Sequence, residues 1–261
     1  MTTDHPEACS DAGRWVLVAG GSGGLGSAIS RSLAEDGWNV ALTYRRNAAA
    51  AEKIAREVTG LGRSSRIVQL DLTDPEAARD VVDEVSSSVE LGGVVYAAGP
   101  HIPMKYVSAI TPEIFSQTVD VDAKGCFNLL QPALRHLREN GGSVLAVSTP
   151  GITRYPKRDL LSVAPKAAVQ AVIRGIAVEE GRFNVRANCI AVGLIEGEGM
   201  WDQLLERGDY TEEMFAVARK TIPLPRFGSV HDIAEAARFL MSDRASWITG
   251  QTLTVDGGYS V

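Results

Sequence analysis

The sequence predicts an α/β domain: a single doubly wound parallel sheet with helices on both faces. Three observations predict it. Short apolar runs alternate with segments of helical periodicity from Trp15 onward, a glycine-rich turn closes the first run, and no linker or internal repeat interrupts the alternation. Strands separated by helix-length segments need crossovers, which are right-handed and cover both faces of a parallel sheet. A chain of 261 residues suits one such domain with a full core.

Trp15-Val-Leu-Val-Ala-Gly20 is a short apolar run ending in glycines, the pattern of a strand buried on both sides. Leu25, Ala28, Ile29 and Leu33 follow at helical spacing, and Gly37 is the stop. Asn39–Tyr44 reads as the second strand. Ala51, Ile54, Ala55 and Val58 mark the next helix, closed by Gly60 and Gly62. Arg66–Leu70 is the third strand, Pro75 opens a helix carrying Ala78, Val81, Val82 and Val85, and Gly93–Ala98 is the fourth strand. A helix is predicted over Pro112–Arg138, a strand over Ser143–Ser148, a helix over Leu160–Glu180 and a strand over Asn184–Val192. Gly197–Pro225 reads as irregular with short helical pieces, His231–Met241 as a helix and Thr252–Val255 as the last strand. Residues 1–13 are expected to form a flexible N-terminal tail and residues 14–261 one dinucleotide-binding catalytic domain.

Composition excludes several function classes. The net charge is −6 with no block of like charges, so the basic patch of a nucleic-acid binder is absent. Cys9, Cys126 and Cys189 are far apart and odd in number, which points to free thiols in a reducing compartment. The N-terminus carries no apolar signal core, and no apolar run is read as reaching the roughly 18 residues of a membrane span. The four histidines and three cysteines show no metal-ligand spacing, so no metal is expected. The expectation is a cytoplasmic protein acting on a small molecule, without nucleic-acid or membrane partners.

Ala19-Gly-Gly-Ser-Gly-Gly-Leu-Gly26 lies between the first strand and the first helix. Glycines let the backbone approach a ligand closely, and the helix start behind them offers unpaired N–H groups and a positive dipole end. This is where a dinucleotide pyrophosphate sits in a Rossmann-type domain. The turn residues Gly20, Ser22, Gly23, Gly24, Leu25 and Gly26 are therefore candidate cofactor contacts. The second strand ends Thr43-Tyr44-Arg45-Arg46-Asn47 without the acid that accepts from the ribose 2′-hydroxyl of NAD. Arginine at that point suits a 2′-phosphate, so Tyr44, Arg45 and Arg46 favour NADPH over NADH.

The spacing of Gly20, Gly24 and Gly26 resembles the Gly-x-x-x-Gly-x-Gly of the short-chain dehydrogenases/reductases, specifically 3-oxoacyl-reductase-like members. Other landmarks follow in family order: Asp71-Leu72 at the third strand's end, Tyr96-Ala-Ala-Gly99, Lys166 on an Ala-rich helix, Asn188-Cys-Ile-Ala-Val-Gly193, and the stretch from Phe227 through Ala245-Ser-Trp-Ile-Thr-Gly250 to Gly258. The resemblance covers nearly the whole chain from Trp15. It implies adenine contacts at Asp71 and Leu72, and further cofactor contacts at Ala98, Gly99, Lys166, Gly193 and Ile195. It also implies a homotetramer built from the long helices and the C-terminal strand, and a substrate lid over residues 194–225. In the lid, Met200, Trp201, Leu204, Leu205, Tyr210, Met214 and Phe215 either line an apolar slot or pack the lid onto the body.

The family carries Tyr-x-x-x-Lys on one helix, a serine 13 residues before that tyrosine, and an asparagine on the preceding helix. Here Lys166 matches the lysine, Ser162 stands at the tyrosine position, Thr149 at the serine position and Asp122 at the asparagine position. An aliphatic hydroxyl is a far weaker acid than a phenol of pKa about 10, so Ser162 is a poor proton donor. Three readings follow. Another group donates the proton in reduction of a carbonyl on a moderately hydrophobic substrate, an acyl thioester or polyketide-like ketone; Tyr155 is the nearest phenol in sequence, and Lys166 through a bound water is another route. Alternatively the acceptor is a conjugated C=C, as in 2,4-dienoyl-CoA reductases; these share Ser-x-x-x-Lys and the upstream Thr but use a tyrosine where this chain has Gly151. Or hydride chemistry is lost, leaving a cofactor-binding partner subunit or a non-redox enzyme. The family's threonine after its Pro-Gly is Gly197 here. His101 and Tyr106 follow the fourth strand, at the edge where ligands bind.

Overall fold

The computed structural model describes residues 13–100, 102–197 and 200–261. The expected tail apart from Gly13, together with Cys9 and His101, lies outside the described residues, as does the side chain of Met200. In chain order the elements are β1 (Trp15–Ala19), α1 (Gly24–Glu35), β2 (Asn39–Tyr44), α2 (Ala48–Gly60), β3 (Ser65–Gln69), α3 (Pro75–Ser86) and β4 (Leu91–Tyr96). There follow α4 (Pro112–Val119), α5 (Gly125–Asn140), β5 (Gly142–Ser148), α6 (Leu160–Glu180), β6 (Val185–Val192), α7 (Met200–Glu206), α8 (Glu212–Arg219), α9 (Val230–Met241) and β7 (Thr252–Val255).

The strands form one seven-stranded sheet in the order β3-β2-β1-β4-β5-β6-β7, every neighbouring pair parallel. One face is packed by α1, α2 and α9 through Ile29, Leu33, Ile54, Val58, Ile233 and Leu240. The other is packed by α3, α5 and α6 through Val81, Val85, Leu129, Leu137, Val169 and Ile173. This is the doubly wound α/β architecture that the alternating pattern predicts.

Strand order runs outward from β1 in both directions. After β3 the chain crosses back to place β4 on the other side of β1. The loops after the neighbouring strands β1 and β4 therefore leave the sheet on opposite faces at their carboxyl ends, which opens a crevice there.

Local chemistry explains the helix starts. Asp74 caps α3, its carboxylate accepting from the Glu76 and Ala77 N–H groups, with Pro75 in the first turn. Ser229 and Asp232 form a reciprocal capping box at α9.

Three expectations need correction. The fourth strand begins at Leu91, two residues before the expected Gly93, and ends at Tyr96. Its glycines mark close approach, not a break. A Cβ on Gly92 would stand 2.6 Å from Arg14 Nε, and one on Gly93 would stand 2.6 Å from Met241 Cε. The helix expected from Pro112 is divided into α4 and α5 by a π-helical turn, Asp120–Lys124, an insertion often found at functional sites. Finally, Leu160–Phe183 is long and apolar enough to cross a membrane by composition. It is also one of the three helices that pack one face of the sheet, burying Val169, Ile173 and Ile176 in that layer's core.

Candidate functional site

The glycine turn is shaped by contacts that forbid side chains. Gly20 takes φ +75°, and a Cβ there would meet Ala98 Cα at 2.8 Å. The Gly20 carbonyl accepts from the Gly23 N–H at 3.0 Å. A Cβ on Gly26 would lie 2.1 Å from that same carbonyl oxygen, so α1 can dock against the turn only with glycine there. No side chain caps α1, and its first turn holds no acid. Its first N–H groups and positive dipole end are thus left for an anion. Ser22 is half-buried within the same turn.

The turn opens into a cavity of about 550 Å³. Gly23, Gly24, Leu25 and Gly26 line one end, with Ala98 and Gly99 from the carboxyl end of β4. Gly193 and Ile195, beyond β6, form a side wall. Gly193 is required by the C-terminal loop, since a Cβ there would stand 2.6 Å from Asp256 Cα. Ile195 is held by a bridge to Gly228. The expected catalytic set, Asp122, Thr149, Ser162 and Lys166, lines the middle. Trp201, Leu204 and Tyr210 from the lid close the far end.

Helical spacing places Ser162 and Lys166 on one face of α6, a turn apart. Lys166 Nζ donates to Asp122 Oδ1 at 2.8 Å, and Asp122 is fully buried. The Tyr96 hydroxyl lies 3.0 Å from the Asp122 carbonyl oxygen, 3.1 Å from the Val121 carbonyl and 3.2 Å from Asp122 Oδ1, so these three acceptors share its one proton. Burial, reinforced by the Asp122 charge, raises the Tyr96 phenol well above its usual range and keeps it protonated. The Lys166 ammonium sits 5.3 Å over the Tyr96 ring. Asp122 thus fixes where the lysine ends. Its Oδ2 is buried without a hydrogen-bond partner among the described residues.

Thr149, just beyond β5, accepts from the Gly151 N–H at 3.1 Å. That contact leaves its own O–H free to turn toward the cavity. A Cβ on Gly151 would press Val163 Cγ2 at 2.8 Å, so no larger side chain fits there without displacement.

Tyr155 does not join this set. Its side chain is 53% exposed and is not among the cavity lining. Tyr106, 60% exposed, is also apart from it. The lid does both things the sequence left open. Trp201 stacks on Phe215 at 3.6 Å within a small core that includes Leu204 and the half-buried Leu205, while Trp201, Leu204 and Tyr210 also face the cavity. Met214 is 40% exposed. Gly197 takes φ +81°, a conformation that suits glycine and not threonine.

The residues expected at the adenine end are separate from this cavity, at the carboxyl edges of β2 and β3. Tyr44 is half-buried, Arg45, Arg46 and Asp71 are exposed, and Leu72 is buried beneath α5. Hydrogen bonds from the Thr73 N–H and hydroxyl hold the Asp71 carboxyl below its usual range, and the nearby Arg45 and Arg46 charges add to this.

Sequence reading missed Asp159. It lines the cavity and is the residue before α6, yet it makes no side-chain cap to that helix. Burial raises its carboxyl to about 7. The signal was available: positions 159, 162 and 166 fall on one helical face. It also missed Met104, Arg154 and Tyr259, which line the substrate side and come from three separate segments.

A glycine cradle for a diphosphate, an anchored lysine and an apolar far end suit a dinucleotide and a second, less polar molecule in one chamber. Residues 19–260 match the family described as Enoyl-(Acyl carrier protein) reductase. The chain is 32% identical over 251 residues to the 3-oxoacyl-[acyl-carrier-protein] reductase FabG of Staphylococcus aureus, covering 93% of this chain and 96% of that protein. It is 33% identical over 248 residues to a probable 2,4-dienoyl-CoA reductase of Bacillus subtilis, covering 93% and 95%. Among solved structures, NAD+-bound xylitol dehydrogenase superposes with a TM-score of 0.87 at 25% identity, covering 94% of this chain and 98% of that one.

Proposed function

The chain belongs to the short-chain dehydrogenase/reductase family of oxidoreductases, and from that premise we propose that it is an NADPH-dependent reductase of a carbonyl on a moderately hydrophobic substrate, working without the family's usual catalytic tyrosine. The observation that carries this reading is the single cavity that joins the glycine turn to Thr149, Ser162 and Lys166 and ends on Trp201, Leu204 and Tyr210.

When bound, the nicotinamide supplies the hydride. The first N–H groups of α1 would hold the pyrophosphate, and Arg45 and Arg46 would face the 2′-phosphate. Lys166, held by Asp122, would bind the nicotinamide ribose. Thr149 and Ser162 would orient the carbonyl oxygen by hydrogen bonds that strengthen as negative charge grows there. The apolar lid residues would exclude water from the reacting carbon.

The second reading, reduction of a conjugated C=C in an acyl thioester, is favoured by the 33% identity to the Bacillus subtilis relative. Against it stands Gly151, where the resemblance to dienoyl reductases calls for a tyrosine and Val163 leaves no room for one. Following NADPH absorbance with ketone and dienoyl-thioester panels separates the two. Turnover of ketones is expected. Exclusive turnover of dienoyl thioesters would reverse the assignment. NADPH binding without turnover of either would leave a cofactor-binding partner subunit or a non-redox enzyme.

A further inference from the structure

If the chain reduces carbonyls, the substrate oxygen must receive a proton, and neither Ser162 nor the exposed Tyr155 is suited to give it. Among the described residues, the cavity holds one carboxyl besides the Asp122 that pairs with Lys166: that of Asp159. Asp159, the residue before α6, stands three residues ahead of Ser162, and its backbone carbonyl accepts from the Ser162 N–H at 3.1 Å.

Its placement is enforced. Arg158, immediately before it, takes φ +70°, a left-handed conformation that costs a non-glycine residue about 1 kcal/mol or more. Hydrogen bonds from both sides hold this conformation. The Lys105 N–H donates to the Arg158 carbonyl at 3.1 Å, and the Arg158 guanidinium donates to the Met104 carbonyl at 2.8 Å. Arg158 Nη2 also lies 3.8 Å from Asp209 in the lid. Asp residues at a helix start ordinarily cap it, and this one does not. The enforced backbone thus sets Asp159 in the cavity wall, with a carboxyl that the helix start does not use.

We infer that Asp159 is the proton donor to the substrate oxygen, in the place a phenol would otherwise fill. This rests on the carbonyl-reductase reading. In the step, a new C–H bond forms on the carbonyl carbon from the hydride, and the C=O π pair moves onto oxygen. The Asp159 O–H bond breaks, its proton joins that oxygen, and the carboxylate left behind is reprotonated from solvent. A carboxyl that titrates near 7 is matched to such work near neutral pH.

Among the described residues, the cations along this wall are engaged with other partners. Arg154 lies along the same wall but donates to the Tyr259 carbonyl and stacks on that ring at 4.5 Å. Arg158 is turned to Met104 and Asp209. Lys166 is paired with Asp122. Burial, and after it the Asp159 carboxylate, raises the Tyr210 and Tyr155 phenols, so they stay neutral across the working range.

The test combines a readout independent of turnover with one that depends on it. Carbon-13 NMR of Asp-labelled protein without cofactor should show a carboxyl titrating near 7 that is missing from Asp159→Asn. Ketone reduction by the native chain should be constant at low pH and fall about tenfold per unit above that value. Asp159→Asn should lose this limb and roughly 10²–10⁴-fold in kcat, while its NADPH Kd, read by fluorescence, stays within about twofold and Asp159→Glu restores part of the rate. Native turnover with an unchanged Asp159→Asn rate and limb, or a carboxyl titrating near 4, would overturn the assignment and leave the reductase reading standing. A native chain that binds NADPH and reduces no ketone would overturn both.

Discussion

Asp122 carries more of the site than its single negative charge suggests. Fully buried, it receives the Lys166 ammonium and faces the Tyr96 hydroxyl, so it positions two groups from α6 and β4 at once. Removing one member of a buried ion pair leaves the other uncompensated, which costs about 3–5 kcal/mol. Asp122→Ala should therefore lower stability by about that amount, measured as a shifted midpoint at unchanged slope in urea unfolding. Lys166→Met removes the other charge, and Asp122→Ala/Lys166→Met should be less unstable than the sum of the two single variants. Additive losses would show that the two side chains do not interact in solution. At this scale the sequence told a partial story. It named Asp122, Ser162, Thr149 and Lys166 through the family resemblance, whose motif positions can be counted along the chain. It promoted Tyr155 over Asp159, because a phenol is conspicuous in sequence, whereas the burial that lifts a carboxyl into the useful range exists only after folding.

The elements transmit order to the cavity. The Ser229 hydroxyl accepts from the Asp232 N–H, and the Asp232 carboxylate accepts from the Ser229 N–H and, on both oxygens, from Arg226. This cap fixes the start of α9 next to Gly228, whose N–H donates to the Leu194 carbonyl and whose carbonyl accepts from the Glu196 N–H. It therefore anchors the cavity wall that carries Ile195. Ser229→Ala should cost about 1 kcal/mol in denaturant unfolding. The Arg226 guanidinium, then Ser229, hold the Asp232 carboxyl far below the usual carboxylate range. The linkage sign follows: this contribution is present above the unfolded value of about 3.9 and is lost as pH falls through the lower folded value. Arg226→Met, which removes the largest cause, should flatten the loss of stability as pH falls below about 4; an unchanged pH dependence would exclude the Arg226–Asp232 pair from this contribution. Helices and most strands were legible because apolar periodicity records which face is buried. The start of β4 was not, since the strand was read as opening at Gly93, whereas Leu91 and Gly92 already belong to it and the two glycines leave space for Arg14 and Met241. The π turn at Asp120–Lys124 has no periodic signature of its own.

At the scale of the molecule, several large apolar side chains remain exposed. Phe127 on α5 is 53% exposed, Val178 on α6 83%, Trp247 98%, and Leu253 on the edge strand β7 40%. They lie on the long helices and at the C-terminal strand, and an edge strand invites pairing with another chain. We propose that these faces join copies of the chain in a tetramer. Light scattering is expected to give four times the chain mass, and Trp247→Glu with Leu253→Lys should reduce it. A monomer at all concentrations would refute the association.

Everything functional depends on the glycine turn holding a diphosphate and presenting a nicotinamide to Lys166. Calorimetric titration of the native chain with NADPH and NADH tests this most directly. One site per chain is predicted, with NADPH bound more tightly. Arg45→Asp should remove roughly 1.5–3 kcal/mol of that preference, about tenfold to a hundredfold. Absence of heat and of any complex with either nucleotide would contradict the account.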